Sequence, residues 1–234
     1  MIPKSKLTTD HNGFALTIIL FLVLFLGLVK PLWATPAEED DSRLNVWWTS
    51  GPATAYHDER DETNRLRVSE SVDEGDNIST GAKGQALLRL AGKAYVYLGP
   101  HTKIHISRLR PGEKNLQVRI NLITGDIWCQ LDQTPHNMIF ETSMRSLICR
   151  CHGTLFEVIR QKNAARINAY DGPVVTVSHS QVKMAKTGEV TQYIQDKFRY
   201  KHRLKDSDTS RLEDWKTHLT DILAHSPIKK LSNP

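Results

Sequence analysis

Apolar and polar residues alternate along much of the chain, and this pattern predicts short β-strands. Between residues 116 and 122 every second position is apolar, the period of a strand that buries one face. Shorter alternations occur at residues 104–106, 165–169 and 175–177, with Gly- or Pro-containing turn signals between the runs. We therefore predict an all-β domain over residues 44–178. The expected form is a solenoid-like stack of short strands, with a β-sandwich as the alternative.

The C-terminal part of the chain has a different period. Leu212, Trp215, Leu219 and Ile222 follow one another at helical spacing, which predicts one amphipathic helix over residues 207–226. We expect a capping box from Ser210 and Glu213, a stop at Pro227, and packing of Trp215 against the β-domain. Residues 179–206 are predicted to be a basic extension of strand and loop.

The N-terminus carries an export signal. Lys4 and Lys6 precede an apolar run at residues 14–29, and the small residue Ala34 follows it, as in secretory signal peptides. Residues 1–34 are therefore predicted to be a cleaved signal peptide or an uncleaved membrane anchor. Residues 35–43 are predicted to be an acidic linker. Either alternative places the rest of the chain in the periplasm or cell envelope, free or anchored in the inner membrane.

Composition narrows the class of protein. The 234 residues include 31 Lys and Arg against 26 Asp and Glu, for a net charge of +5, and three cysteines. These values exclude collagen-like and low-complexity chains and a disulfide-built scaffold. The modest positive charge does not indicate nucleic acid as a partner.

The three cysteines leave two alternatives open. Cys149 and Cys151 are two residues apart, about 6.6 Å along a strand, which is an awkward separation for a mutual disulfide. Either Cys129 pairs with one of them in an oxidising compartment, or all three are buried and unpaired.

The sequence gives little indication of a catalytic or metal-binding site. Cys151 and His152 are neighbours in an apparent strand, so their side chains point to opposite faces and do not suit a nucleophile and its base. Cys-x-Cys-His is a loose spacing for zinc and one residue short of a haem attachment motif, and His101 and His105 do not improve it. We predict a protein that is not an enzyme, with no cofactor and no metal.

Two features are candidates for surface binding. A strand through Lys197, Arg199, Lys201, Arg203 and Lys205 would place five cations on one face. This face is either simply solvated or a contact for anionic lipid, glycan or a protein partner. Trp47 and Trp48 would point to opposite faces of a strand, so at most one is expected to be buried. The other either stacks on a sugar or a protein partner or is covered by the linker.

The order and spacing of several motifs resemble the periplasmic domain of the FecR family. The matching pieces are residues 75–81, 86–90, 94–99 with 102–104, 122–128, 140–142, 151–158 and 168–177. Their turn residues suit positive φ and hydrogen bonds from side chain to backbone at tight corners; Asp76, for example, is expected to accept from the amide of Ile78 or Ser79. The turn positions are Gly75, Asp76, Thr80, Gly81, Gly125, Asp126, Gly153, Thr154 and Gly172.

The resemblance implies a small all-β domain outside the inner membrane that senses or scaffolds, with no catalytic residues to carry over. Signalling members receive a signal from an outer-membrane receptor, and their cytoplasmic segment controls a sigma factor. About thirteen residues precede the apolar run here, too few to fold such a segment, so a stand-alone form is expected. We expect a non-enzymatic envelope protein that binds or scaffolds a protein partner in signal transduction; the alternative is a module that binds glycan or anionic lipid.

Overall fold

The computed structural model describes residues 43–58, 61–90, 94–111, 116–131, 138–151, 153–179 and 181–225. These residues fall within one compact unit, Asp40–Pro234. The predicted signal or anchor at 1–34 lies outside the described residues, as does all but the last residue of the predicted linker. The described part contains seventeen strands and one helix, so the prediction of an all-β domain followed by a C-terminal helix is confirmed.

The strands form two layers joined by one long strand. The first layer contains β1 (Leu44–Ser50), β4 (Ser71–Val72), β6 (Gln85–Leu90), β7 (Ala94–Leu98), β12 (Leu155–Gln161), β13 (Ala164–Asp171), β16 (Glu189–Ile194) and β17 (Lys197–Arg203). The second layer contains β2 (Ala53–His57), β3 (Glu62–Arg65), β5 (Asn77–Thr80), β8 (Lys103–Pro111), β10 (Met138–Met144), β11 (Leu147–Cys151), β14 (Val174–Ser178) and β15 (Gln181–Ala185).

Strand β9 (Leu116–Leu131) belongs to both layers. Its first half pairs with β8 and β10 in the second layer, and its second half pairs with β7 and β12 in the first. The change of layer occurs at Gly125, whose φ is +92°. Except for the parallel pair β9–β10, the described pairings are antiparallel. The stack of short strands is thus a stack of hairpins, with the chain passing repeatedly between the layers.

One hydrophobic core fills the space between the layers. Val46, Val96 and Phe156 of the first layer and Ile104 and Phe140 of the second belong to the same cluster of buried side chains. Alternation along each strand sends every second side chain into this core, which explains the period read from the sequence.

Helix α1 (Asp206–His225) lies on the outer side of the first layer. Its apolar stripe, Trp215, Leu219 and Ile222, is buried against Tyr97, Trp128 and Tyr170. The helix begins one residue earlier than predicted, and its start is not capped by Ser210 and Glu213. Instead, the Asp208 carboxylate accepts from the Lys205 amide at 3.0 Å, because Asp208 stands three residues beyond that amide, where a capping carboxylate reaches back.

The predicted domain end at residue 178 falls inside the fold. Strand β15 continues the second layer, and β16 and β17 continue the first. The segment predicted as a basic extension is therefore made of strands that pair with those before it.

Candidate functional site

The turn glycines lie at corners of the strand stack. Gly75, Gly125, Gly153 and Gly172 have φ values of +98°, +92°, +55° and +80°, a region that glycine enters without steric cost. Gly81 does not have positive φ. Its amide donates to the Pro52 carbonyl at 2.8 Å, and a Cβ at this position would lie 3.2 Å from the Pro52 Cβ, so close packing and not backbone conformation explains this glycine.

One of the polar turn residues, Asp76, has partners other than those expected. Asp76 does not accept from Ile78 or Ser79; its Oδ2 accepts from the Asp73 amide at 2.9 Å and contacts His57 Nδ1 at 2.9 Å. The turn lies before Asp76 and not after it, so the amide within reach is the one three residues upstream.

Thr80, Thr154 and Asp126 also stabilise corners. The Thr80 hydroxyl donates to the Gly99 carbonyl at 2.7 Å and accepts from the amide of Thr102 at 2.9 Å. Thr154 is buried, and its carbonyl accepts from the Leu131 amide at 2.9 Å. The Asp126 amide donates to the Thr102 hydroxyl at 3.1 Å.

Cys129, Cys149 and Cys151 are all buried and free. They lie in the core between the layers, which is the second of the two alternatives left open by the sequence. No disulfide joins them, and burial raises the pKa of all three thiols, that of Cys149 to about 12. A thiol with such a pKa is a poor nucleophile at neutral pH.

Trp47 and Trp48 do not point to opposite faces. A bulge interrupts the pairing of β1 with β6, since Val46 is opposite Leu88 but Trp48 is opposite Leu87. Both indole rings therefore lie partly buried against the aromatic cluster beneath α1. The Trp48 ring meets His218 of the helix edge-on at 5.6 Å.

The five predicted cations are exposed, four on the edge strand β17 and Lys205 just after it. Lys201 forms an ion pair with Glu189 of the neighbouring strand at 2.7 Å. Phe198 turns inward and packs on the core. The pairing with β16 contains a bulge next to Tyr193, so the regular alternation assumed from the sequence is broken at Arg199.

A charged network joins α1 to the first layer. Glu157 is buried and accepts from Asn168 Nδ2 at 2.7 Å and from the Tyr170 hydroxyl at 3.0 Å. Arg211 of α1 forms an ion pair with Glu157, and Arg166 contacts Asp208 at 2.6 Å. Burial raises the pKa of Glu157, although the guanidinium of Arg211 opposes the shift. Buried groups that are all paired in this way attach the helix firmly to the sheet.

Apolar side chains cluster on the outer face of the second layer at its edge strand, β15. Among the described residues, the large hydrophobic side chains that are exposed are Val182, at 63%, and Met184, at 50%. Val182 is paired with Val177 and Met184 with Val175 of β14, and Ile148 of β11 lies beside Val177. We call these five residues the β15 surface.

The sequence contains one signal for this surface. Residues 181–185 read Gln-Val-Lys-Met-Ala, an alternation typical of a strand. Alternation alone does not tell which face is buried, whereas the structure shows that Val182 and Met184 are exposed.

Comparison with protein families identifies one stretch of the chain. Residues 76–175 match the family model described as FecR protein. This stretch is a FecR domain. It extends from the Asp76 corner to β14, so the resemblance inferred from the turn motifs is confirmed. A search of curated protein sequences finds no match.

Two solved structures are similar in part to the chain that carries this FecR domain. Both are crystal structures of a candidate anti-sigma factor from Parabacteroides distasonis ATCC 8503, each with 13% sequence identity and a TM-score of 0.48. The match covers 57% of this chain and 62% of each of those chains. A likeness of this extent carries no argument about function.

Within the described residues, no three His, Cys, Asp or Glu side chains group as metal ligands. His101 is exposed at a corner with φ +54° and His105 lies on β8, whereas His152 is outside the described residues. No helix in the described part is long and apolar enough to cross a membrane.

Proposed function

We propose that the chain is a non-enzymatic regulatory protein of the cell envelope, and that its FecR domain binds a protein partner in signal transduction. The FecR match supports the regulatory role. The observation that carries the binding proposal is the β15 surface, because exposed contiguous apolar side chains in a soluble domain are typical of protein interaction sites.

The partner is expected to add a strand to β15. Among the strand pairings of the described residues, β15 takes part in the one with β14, so the other side of its backbone can accept hydrogen bonds from another strand. An added strand obtains affinity from the main chain and specificity from its alternate side chains. Val182 and Met184 would contact apolar residues at every second position of that strand.

Charge favours an acidic partner over a second copy of this chain. Lys183 lies between the two apolar residues on β15, and Lys186 follows; both are exposed. Two β15 strands that paired with each other would bring like charges together, and lysine on an edge strand commonly prevents such pairing. A partner strand with an acidic residue opposite Lys183 would be attracted instead.

Photo-crosslinking in living cells tests the proposal. A photoreactive amino acid replaces Val182 on β15, and the matched control replaces Thr63, which is exposed on β3 at the other edge of the same layer. We expect Val182 to crosslink to a different protein, within an extended segment with alternating apolar and acidic residues. We also expect Lys183→Glu to reduce that crosslink and Thr63 to give none.

The other outcomes would overturn the assignment. Crosslinking from Val182 to a second copy of the chain would identify self-association, and crosslinking to residues 35–43 would identify an intramolecular contact with the acidic segment. A yield from Val182 equal to that from Thr63 would show that β15 is an ordinary solvated edge.

A further inference from the structure

Three hairpin turns surround a cavity of about 200 Å³ at one end of the strand stack. The turns join β10 to β11, β12 to β13 and β16 to β17. The residues that line the cavity are Met144, Arg145, Arg160, Lys162, Asn163, Ala164, Ala165, Tyr193, Gln195 and Asp196. None of them belongs to the β15 surface.

Positive charge collects around this cavity. Arg145, Arg160 and Lys162 all line it, against one carboxylate, that of Asp196. The Asp196 carboxylate accepts a hydrogen bond from the Ser146 hydroxyl at 3.1 Å, so one of its oxygens already has a hydrogen-bond partner within the protein. Three cations with one acid leave the cavity with an excess of two positive charges.

Arg145 and Arg160 are close enough for their positive charges to repel each other. Burial, and then the nearby charge of Arg145, lower the pKa of Arg160, which means that the two guanidinium groups repel each other. The Arg160 guanidinium donates to the Leu122 carbonyl at 2.5 Å, and this contact fixes its position beside the cavity. A neutral carbonyl does not cancel the repulsion, whereas an anion in the cavity would.

The backbone around the cavity is also strained. Arg145, Lys162 and Gln195 have φ values of +47°, +44° and +48°. Glycine, asparagine or aspartate usually occupies such turn positions. Side chains that are kept in an unfavourable backbone conformation cluster at functional sites more than elsewhere.

We propose that this cavity binds a compact oxyanion, namely inorganic phosphate or the phosphate group of a phosphomonoester. The volume is below the roughly 300 Å³ at which pockets for larger organic ligands begin. Guanidinium groups donate pairs of parallel hydrogen bonds to phosphate oxygens, and the lysine adds a mobile charge. Asn163 and Gln195, which also line the cavity, carry neutral amide groups.

Calorimetric titration of the full-length chain tests the site, with inorganic phosphate and glycerol phosphate as separate ligands at constant ionic strength. The double variant Arg145→Gln/Lys162→Gln removes two cations at exposed turn positions. Lys83→Gln is the matched control, since Lys83 is an exposed turn cation that does not line the cavity. Circular dichroism verifies that each variant is folded.

We expect saturable binding of at least one ligand, weakened about tenfold or more in the double variant and unchanged in Lys83→Gln. Tighter binding of inorganic phosphate would identify a free ion, and tighter binding of glycerol phosphate a phosphate group on a larger molecule. The proposal is overturned if neither ligand binds saturably, if the folded double variant binds as the wild type does, or if Lys83→Gln is weakened equally.

Discussion

Trp215 of α1 stacks on Trp128 of β9, with ring centroids 5.1 Å apart and planes inclined by 7°. Trp128 also stacks on Tyr170 at 5.0 Å, so three aromatic rings form a continuous stack from the helix to the sheet. This stack attaches the helix to the first layer and covers a face that would otherwise be an exposed aromatic patch.

Replacing Trp215 with alanine is expected to reduce the free energy of unfolding by about 3–5 kcal/mol, since a large buried aromatic side chain and its stacking are both lost. Urea unfolding followed by circular dichroism measures the change. Lys216→Ala, at the next and exposed position, is the control and should change stability by less than about 0.5 kcal/mol. A Trp215→Ala variant as stable as this control would show that the helix is not anchored by the stack.

Glu157→Gln is expected to flatten the dependence of stability on pH. Burial raises the pKa of Glu157 above its ordinary value of 4.5, so the folded protein holds this proton more tightly than the unfolded chain. The stabilisation from that proton is complete below the unfolded pKa and is lost as the pH rises through the folded pKa. Urea unfolding between about pH 4 and pH 8 should therefore show a smaller loss of stability in the variant.

Glu141→Gln is expected to change the pH dependence of stability in the opposite direction. Burial acts to raise the pKa of Glu141, but ion pairs with Arg150 and Arg119, each at 2.5 Å, outweigh it and lower the pKa. Its stabilisation is present above the unfolded pKa and is lost as the pH falls through the folded pKa. The same slope in both variants would contradict the electrostatic interpretation of the two sites.

Gly125→Ala is expected to destabilise the domain more than Gly188→Ala. Both glycines have positive φ, +92° and +80°, so alanine is strained at each by about 1–2 kcal/mol. At Gly125, however, a Cβ would lie 2.4 Å from the Thr102 hydroxyl and 2.5 Å from its Cα, whereas at Gly188 nothing lies within 4 Å. Overpacking adds about 1–3 kcal/mol to the first variant alone. Equal losses in thermal or urea unfolding would contradict the close approach at this corner.

The three cysteines are expected to resist thiol reagents in the native protein, because all are buried and the burial raises their pKa values. Titration with a chromogenic disulfide reagent at pH 8 should detect close to zero reactive thiols before denaturation and all three after it. A thiol that reacts rapidly in the native protein, or fewer than three in the denatured protein, would disagree with this arrangement.

The period of two along the chain predicted the strands, and the helical spacing of Leu212, Trp215, Leu219 and Ile222 predicted the helix, because burial of one face leaves a regular trace in the sequence. The alternation gave the wrong side-chain directions where a strand contains a β-bulge. The bulge at Trp47 and Trp48 turns both rings to the same side, and a bulge adds one residue without any mark in the apolar pattern. Sequence alone also could not show that Lys201 is paired with Glu189, because that contact depends on the register of β16 with β17.

The candidate sites were less predictable than the fold. The alternation at residues 181–185 indicates a strand, but its exposure follows from its place at the end of the second layer, which is a property of the whole topology. Likewise, Arg145, Arg160 and Lys162 come from separate turns and strand ends, so their meeting at one cavity depends on the pairing of several hairpins.

Hydrogen exchange of the backbone amides of β15 tests most directly whether a partner strand pairs with this edge. The covalent complex formed through Val182 is purified from cells and compared with the free protein. Strand addition predicts slower exchange along β15 in the complex, with β3 unchanged. Exchange along β15 at the same rate in both samples, or slowing confined to α1, would contradict the claim that a partner strand pairs with this edge.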